Sequence, residues 1–403
     1  MHHHQLLIFF ALLIFAFGLV SRLAERKSVT GPMVFMTVGI LGSPLAFGFL
    51  HVTPEMDGVK LMAEVALTLV LFIDASLIDK SFLSSRSRIP TRLLLIGLPL
   101  TMIAGTLLGA WLFDDISIWA IVLMALILSP TDAALGQAVV KSEDVPSRIR
   151  QSISVESGLN DGIALPPILI CMALLGAEAG GHEGGWAGFV IRQVTLGPLV
   201  GLIVGWLGGY LMQKMSDRDW MEPTFQRLSA LPLAILAYAF AESVEGNGFI
   251  AAFVAGLGFT MAVTSEHVRH QLQEFGETEG MQLILIVFLI FGLAIVPAVA
   301  PYWGATELVY ALASLTLLRM IPVTIALLGA KLDWQTIAFI GWFGPRGIAS
   351  VLYLLMALAA IGFEGYERVM SVVVLTVMIS VYAHGMTAMP LSRRYGRTTI
   401  IDD

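Results

Sequence analysis

Residues 129–136 read SPTDAALG and residues 342–350 read WFGPRGIAS, and each stretch puts a proline and a charge inside a long apolar segment. A proline inside a helix removes a backbone donor and clashes with the preceding turn. We therefore expect both helices to be interrupted, at Pro130 and at Pro345. A simple kink would explain either stretch alone, because prolines are frequent in membrane helices.

The composition indicates an integral membrane protein. Of the 403 residues, 57% are hydrophobic and 13% are charged, which is far more apolar than a soluble domain. Apolar stretches of about 20 residues, enough to cross a bilayer, recur along the chain. We predict an all-α integral membrane fold with about thirteen transmembrane helices. The predicted spans are residues 5–21, 32–50, 58–78, 92–113, 117–140, 149–177, 187–213, 226–243, 247–264, 280–299, 305–328, 333–361 and 368–390.

The basic residues predict the orientation of these spans. Most of the 23 lysines and arginines fall in the connections of one side, and the other side holds only Lys60, Arg192 and Arg368. An excess of basic residues marks the cytoplasmic side. We therefore predict an outside N-terminus and a cytoplasmic C-terminus. The short tails favour a multi-pass protein of a prokaryotic inner (plasma) membrane.

The positions of the two breaks indicate internal repeats. Pro130 lies in the fifth predicted span and Pro345 in the twelfth, so each break occupies the fifth helix of a six-helix repeat if the seventh span is a linker. This arrangement gives the two halves opposite orientations. Paired interruptions at corresponding places are typical of transporters with inverted repeats, whose site lies where the broken helices cross. We predict two inverted six-helix repeats with two broken crossing helices.

Ionisable residues deep inside the predicted spans are the candidates for function. Each costs about 2.5 to 3.5 kcal/mol at mid-membrane, so such groups are tolerated when they face one another or water. The remaining two basic residues, Arg319 and Arg346, fall within spans. So do five carboxylates: Glu64, which is near an outer end, Asp74, Asp132, Glu156 and Asp161.

The segment ESGLNDG, residues 156–162, predicts an ion site. In a helix, Ser157 and Asp161 are four residues apart and Asn160 lies between them on the same face. Hydroxyl, amide and carboxylate oxygens are the ligands that small hard cations prefer. A polar patch that joins helices through serine and asparagine hydrogen bonds is the alternative.

The charges at the two breaks suit the ends of half-helices. A carboxylate such as Asp132 is stabilised beside an exposed helix N-terminus, and Thr131 next to it offers an oxygen to a cation. Arg346 suits the carbonyl end of a broken helix.

Several motifs follow one another in a fixed order along the chain: SPTD at 129–132, VPSRIR at 145–150, ESGLNDG at 156–162, LLRMIPV at 317–323 and GPRGIAS at 344–350. In this order they resemble the NhaP-type sodium/proton antiporters, the compact relatives of the eukaryotic sodium/proton exchangers. The resemblance covers nearly the whole chain, which we treat as one transmembrane antiporter domain, residues 1–403.

The resemblance implies a cation and proton site. Asp161 would carry either the cation or the proton beside Asn160, and Ser157 and Thr131 would be further ligands of the monovalent cation. Asp132 would belong to the same site.

The resemblance also implies supporting roles. Glu156 would form a structural ion pair with Arg319, and Arg346 would lie beside the second unwound helix. Asp74 stands where many members have a glutamate followed by two glycines, and we interpret it as an accessory ligand.

Competition between a cation and a proton for one buried carboxylate produces exchange. We predict electroneutral one-for-one exchange of sodium or lithium for a proton, because Asn160 stands where electrogenic relatives place a second aspartate. A potassium/proton antiporter is the alternative. Alternating access would move a core of spans 4–6 and 11–13 against a panel of spans 1–3 and 8–10. The resemblance implies a homodimer that forms through this panel.

Two other classes of protein explain the sequence less well. A cation channel would need symmetric pore loops, which the sequence lacks. An intramembrane hydrolase would need a base beside a nucleophile, and we interpret the histidines as solvated or interfacial: His51, His182, His267, His270 and His384. We expect no enzyme, no cofactor and no nucleic acid, and the partners to be the lipid bilayer, the cation and the proton.

The acidic connection EFGETEG, residues 274–280, follows His267 and His270. Histidine titrates near neutrality, so this region could sense pH. We favour a solvated cytoplasmic loop, because charge runs in loops are ordinary.

Overall fold

A computed structural model describes residues 2–50, 52–54, 56–78, 88–132, 135–178 and 186–399. Within these ranges every regular element is helical. Eight helical segments of the described chain are long and apolar enough to cross a membrane, and four shorter apolar helices accompany them. The predicted all-α membrane architecture is confirmed. His51 and His182 lie outside the described residues.

The α-helices are numbered in chain order. They are α1 (His2–Arg26), α2 (Gly31–Gly42), α3 (Asp57–Ser76), α4 (Arg88–Arg92), α5 (Leu98–Leu112), α6 (Ile118–Ile127), α7 (Gln137–Val140), α8 (Ser147–Glu178), α9 (Trp186–Ser216), α10 (Pro223–Leu228), α11 (Ala230–Ser243), α12 (Gly248–Ala262), α13 (Glu266–Ile290), α14 (Val296–Val299), α15 (Ala305–Leu315), α16 (Leu317–Leu327), α17 (Trp334–Trp342), α18 (Ile348–Ile361) and α19 (Glu367–Thr399). Two π-helical turns, Leu93–Gly97 and Phe291–Ile295, and a 3-10 turn, Ala300–Tyr302, continue their neighbouring helices.

Both predicted interruptions are present. In the fifth span α6 ends at Ile127, and the next helix, α7, begins at Gln137. In the twelfth span α17 ends at Trp342 and α18 begins at Ile348. The prolines act as predicted, because each lies between two helices and not within one.

The eleventh span has a break that the sequence did not predict. We expected one helix over residues 305–328, but α15 and α16 meet at Thr316, whose φ of −118° and ψ of −89° are not helical. The Thr316 hydroxyl donates to the carbonyl of Leu312, the acceptor that its own N–H would take in an α-helix. The Thr316 N–H donates to Ala313 instead. Thr316 therefore interrupts this span at a point that no proline marks.

The predicted loop at residues 274–280 is also wrong. This stretch lies inside α13, which begins at Glu266. As a whole, α13 contains no proline and is rich in helix-forming glutamate, glutamine and leucine. Glu274 pairs with Arg227 at 3.2 Å and lies 3.7 Å from His270. His267 and His270 are exposed, as expected for solvated side chains.

The chain forms two compact units. The first comprises the described parts of residues 1–61, 88–157 and 284–403, and the second those of residues 62–87 and 158–283. The boundary falls inside the continuous helix α8, after Ser157. The predicted division into a core and a panel of spans stays a prediction.

In the second unit, α9 and α12 pack backbone against backbone. A Cβ added to Gly197 would lie 2.8 Å from the carbonyl oxygen of Asn247, and one on Gly205 would overlap the carbonyl oxygen of Ala255. Close approach of small residues at a spacing of four is how membrane helices associate. These glycines allow α9 to touch α12 along its length.

We expect Gly205→Ala to destabilise the protein by about 1 to 3 kcal/mol, because the new methyl group forces α9 away from α12. Thermal unfolding in detergent measures this effect. Gly188→Ala is the matched control in the same helix, since nothing lies within 4 Å of a Cβ there. Equal stability of the two variants would contradict the packing described for α9.

Candidate functional site

The two interrupted spans meet at their breaks, within the first unit. The backbone N–H of Asp132 donates to the carbonyl of Pro345 at 2.9 Å. Gly347 lies so close to Asp132 that a Cβ on the glycine would overlap the carboxylate oxygen Oδ2. Both residues are buried. The crossing expected from two paired prolines is therefore present, and a glycine provides the room for it.

Each break supplies a charge to a helix end of the other span. Asp132 Oδ2 accepts a hydrogen bond of 2.6 Å from the Ile348 N–H, at the N-terminus of α18. Arg346 Nη1 donates to the carbonyls of Ser129 and Pro130, which follow the C-terminus of α6, the latter at 2.8 Å. A carboxylate at a helix N-terminus and a guanidinium at a C-terminus are both favourable. The sequence predicted the signs of these charges but not that they are exchanged between the spans.

Glu156 and Arg319 form a bidentate pair in the same unit. Arg319 Nη1 and Nη2 donate to the two carboxylate oxygens of Glu156 at 2.6 and 2.9 Å. The two side chains are 2% and 1% exposed. A Cβ on Gly344 would overlap Arg319 Nε, so the pair packs directly against the second break. The structure thus brings together the two residues that the sequence proposed as an ion pair.

Two of the proposed cation ligands touch. The hydroxyls of Thr131, at the first break, and Ser157, on α8, are 3.0 Å apart and buried. Two hydroxyl oxygens at this distance can face one cation, the chemistry that the sequence indicated.

Asn160 and Asp161 follow Ser157 by one turn of α8 and are 1% and 3% exposed. Asp74, at the C-terminal end of α3, is half-buried. Its carbonyl oxygen lies 3.4 Å from the position of a Cβ on Gly158, so the end of α3 reaches the segment of α8 that carries Asp161.

Two features of α8 were not predicted from the sequence. Pro166 and Pro167 lie inside the helix and have no N–H to give to the carbonyls of Gly162 and Ile163. The ring of Phe253 packs on Gly162, where a Cβ would overlap it. The paired prolines were visible signals, whereas the contact with Phe253 has no signature in the chain.

The predicted environment of His384 is wrong. We expected it to be solvated or interfacial, but it is 1% exposed and packs inside the first unit. Its position near the end of the predicted span gave the wrong environment, because α19 continues to Thr399 and places His384 well inside the helix.

Comparison with known proteins identifies the family. The sequence profile of the transmembrane sodium/hydrogen exchanger family matches residues 8–394 of the chain. The chain belongs to the sodium/hydrogen exchanger family. This is a family of membrane transporters, so the predicted resemblance is confirmed.

Several curated members of the exchanger family match the chain. The potassium/proton antiporter NhaP of Alkalimonas amylolytica is 24% identical over 90% of this chain and 62% of its own length. The potassium/proton antiporter NhaP2 of Shewanella oneidensis is 24% identical over 93% of the chain and 64% of its own length. The chain thus spans a little under two thirds of these two relatives. The sodium/proton antiporter NhaH of Halobacillus aidingensis is 26% identical over 97% of both proteins.

Solved structures of the exchanger family share the fold. The sodium proton antiporter MjNhaP1 of Methanocaldococcus jannaschii, solved at pH 8, superposes with a TM-score of 0.78 at 16% identity, over 98% of this chain and 100% of that one. An electron-microscopy structure of the same antiporter gives 0.77 at 17% identity, over 98% of each chain. The predicted fold class is confirmed.

We expect Arg319→Met to destabilise the protein by about 3 to 5 kcal/mol, because it leaves the Glu156 carboxylate buried without its partner. Adding Glu156→Leu should restore most of the loss, since no uncompensated charge then remains. Denaturant titration in detergent measures the free energies.

The control for the ion pair is Arg192→Met. This residue pairs with Glu245 on the surface, where the side chains are 54% and 66% exposed. Its loss should cost at most about 1 kcal/mol. If the variant with both Arg319→Met and Glu156→Leu is as unstable as Arg319→Met alone, the loss of the buried arginine side chain, and not the unpaired charge of Glu156, causes the destabilisation.

Proposed function

We propose that the chain is a secondary antiporter that exchanges a monovalent cation for a proton across a membrane by alternating access. One observation carries the proposal: the buried hydroxyls of Thr131 and Ser157 touch beside the crossing of two broken helices, and Asp161 follows one turn later on the helix of Ser157. Membership of the sodium/hydrogen exchanger family supports the same conclusion.

Asp161 is the proposed carrier. Burial favours the protonated form of a carboxyl group, and a nearby cation favours the ionised form. Oxygen atoms from Ser157 and Thr131 suit a small hard cation. The site then binds either ion but not both, which couples the two movements.

The transported cation is proposed to be sodium or lithium, with potassium as the alternative. The relatives carry names of both kinds, sodium/proton for NhaH and potassium/proton for NhaP and NhaP2. With Asn160 beside Asp161, one carboxylate titrates in the pair, so one proton replaces one cation and the exchange is electroneutral.

The other charged residues are proposed to hold the site in place. Asp132 caps α18 and thereby keeps the neighbouring Thr131 at the crossing. Arg346 holds the carbonyls of the first break, and Glu156 with Arg319 joins α8 to α16. Asp74 is proposed as an accessory ligand.

We place the protein in the inner membrane with its N-terminus outside and its C-terminus in the cytoplasm, because the basic residues alternate in that sense. We propose that the panel carries a homodimer interface. Transport of this kind forms no covalent bond, so the chain is proposed to act without a cofactor and not as an enzyme.

The proposal predicts that Asp161→Asn abolishes cation-driven proton movement, because the amide cannot take up the transported proton. Purified protein in liposomes with an enclosed pH dye measures this after a pulse of sodium, lithium or potassium. Asp217→Asn, the same substitution at an exposed position, is the control. Exchange by the Asp161 variant at the control rate would rule out the assignment.

Electroneutral exchange predicts that turnover builds no membrane potential. A potential-sensitive dye in the same liposomes, without ionophores, should stay silent while the pH dye responds. Clamping the potential with valinomycin and potassium should leave the rate of sodium-driven proton movement unchanged. A potential that follows the cation gradient would contradict the one-for-one ratio.

A further inference from the structure

The last helix, α19, presents a polar stripe to the second break. Ser380, His384 and Thr387 are four and then three residues apart, so they share one face of the helix. The Arg346 N–H donates to Ser380 Oγ at 2.7 Å, and the Trp342 Nε1–H donates to Thr387 Oγ1 at 3.0 Å. The His384 ring packs against the Trp342 ring with centroids 4.9 Å apart.

The break creates the need for this stripe. Arg346 lies between α17 and α18, so its N–H has no partner within a helix. A buried N–H without an acceptor is costly, and Ser380 provides the acceptor. This serine is fully buried, at 0% exposure. The N–H of Arg346 in the second break is therefore held by one hydroxyl group.

The direction of that hydroxyl depends on the tautomer of His384. Because Ser380 Oγ accepts from Arg346, its own proton is free to be donated, and His384 Nδ1 lies 3.0 Å away. A neutral imidazole protonated at Nε2 accepts this proton. The other tautomer would donate from Nδ1 to the Ser380 carbonyl, also at 3.0 Å, and would leave the hydroxyl proton without this acceptor.

We propose that His384 is a positioning residue that acts through Ser380 on the backbone of Arg346. The relay runs from the Arg346 N–H to the Ser380 hydroxyl and on to His384 Nδ1. The relay holds the second break in place. From this break the Arg346 guanidinium donates to the Pro130 carbonyl, and the Pro345 carbonyl accepts from the Asp132 N–H. A shift of this segment moves the neighbouring break that carries Thr131. The effect on exchange rests on the proposed antiport.

Amide replacements of the histidine test the relay. Asparagine places its amide where Nδ1 lies, whereas the longer glutamine places it near Nε2. We expect His384→Ala, His384→Gln and Ser380→Ala each to lower the exchange rate in liposomes about tenfold, which corresponds to the loss of one buried hydrogen bond. His384→Asn should restore most of the rate.

A double variant and a control complete the set. Ser380→Ala with His384→Ala should be no slower than Ser380→Ala alone, because both changes break one relay. Thr376→Val, which removes another buried hydroxyl of α19 that donates to its own helix, should leave the rate unchanged.

A second measurement does not depend on transport. Hydrogen exchange of the Arg346 amide, followed by mass spectrometry of the peptide around the break, should be faster in Ser380→Ala and His384→Ala and normal in His384→Asn and Thr376→Val. If the wild type does not exchange ions, the proposed function fails while this readout still decides the relay.

Three results would overturn the positioning role. The first is a glutamine variant as active as the asparagine variant, which would mean that the ring only fills space. The second is additive losses in the double variant. The third is unchanged amide protection in Ser380→Ala. If His384→Ala does not fold, the comparison of the asparagine and glutamine variants, which are both amides, decides the question.

Discussion

The reciprocal capping of Asp132 and Arg346 is the interaction on which the rest of the structure depends. A helix that stops inside a membrane leaves carbonyls and N–H groups without partners, and each costs several kcal/mol in an apolar medium. Here the Asp132 carboxylate of the first break accepts a hydrogen bond from an N–H of α18. The Arg346 guanidinium of the second break donates to two carbonyls of the first break. One N–H and two carbonyls at the open helix ends are thus bound by two side chains.

The polar groups around the crossing follow from that arrangement. Gly344 has no side chain and so admits the Arg319 guanidinium, which binds Glu156. Ser157 follows Glu156 on α8 and meets Thr131 of the first break. The ion pair, the two breaks and the hydroxyl pair therefore share neighbouring residues, so a substitution in one of them alters the packing of the others. The ion pair joins α8 to α16 beside the second break.

The sequence was informative where chemistry conflicts with an apolar surrounding. Pro130, Pro345 and the buried charges are costly in a membrane helix, so their presence alone located both breaks. The pairing of Glu156 with Arg319 came from the resemblance to the antiporter family. The break at Thr316 carried no such signal, because threonines inside unbroken helices of this chain, such as Thr101 and Thr376, make the same hydroxyl bond to the carbonyl four residues earlier. The environment of His384 was unpredictable for another reason: it depends on how far α19 continues, and helix ends are poorly marked in sequence.

The close contact between Asp132 and Gly347 limits how alike the two breaks can be. When the two breaks are aligned on their prolines, SPTD against GPRG, Asp132 and Gly347 occupy equivalent positions. Two breaks with identical sequences would set two aspartates, or two glycines, against each other there. Two aspartates would have no room, and two glycines would leave α18 without its carboxylate cap. The contact therefore requires the two breaks to differ at this position, and changing either residue to match its counterpart would remove it.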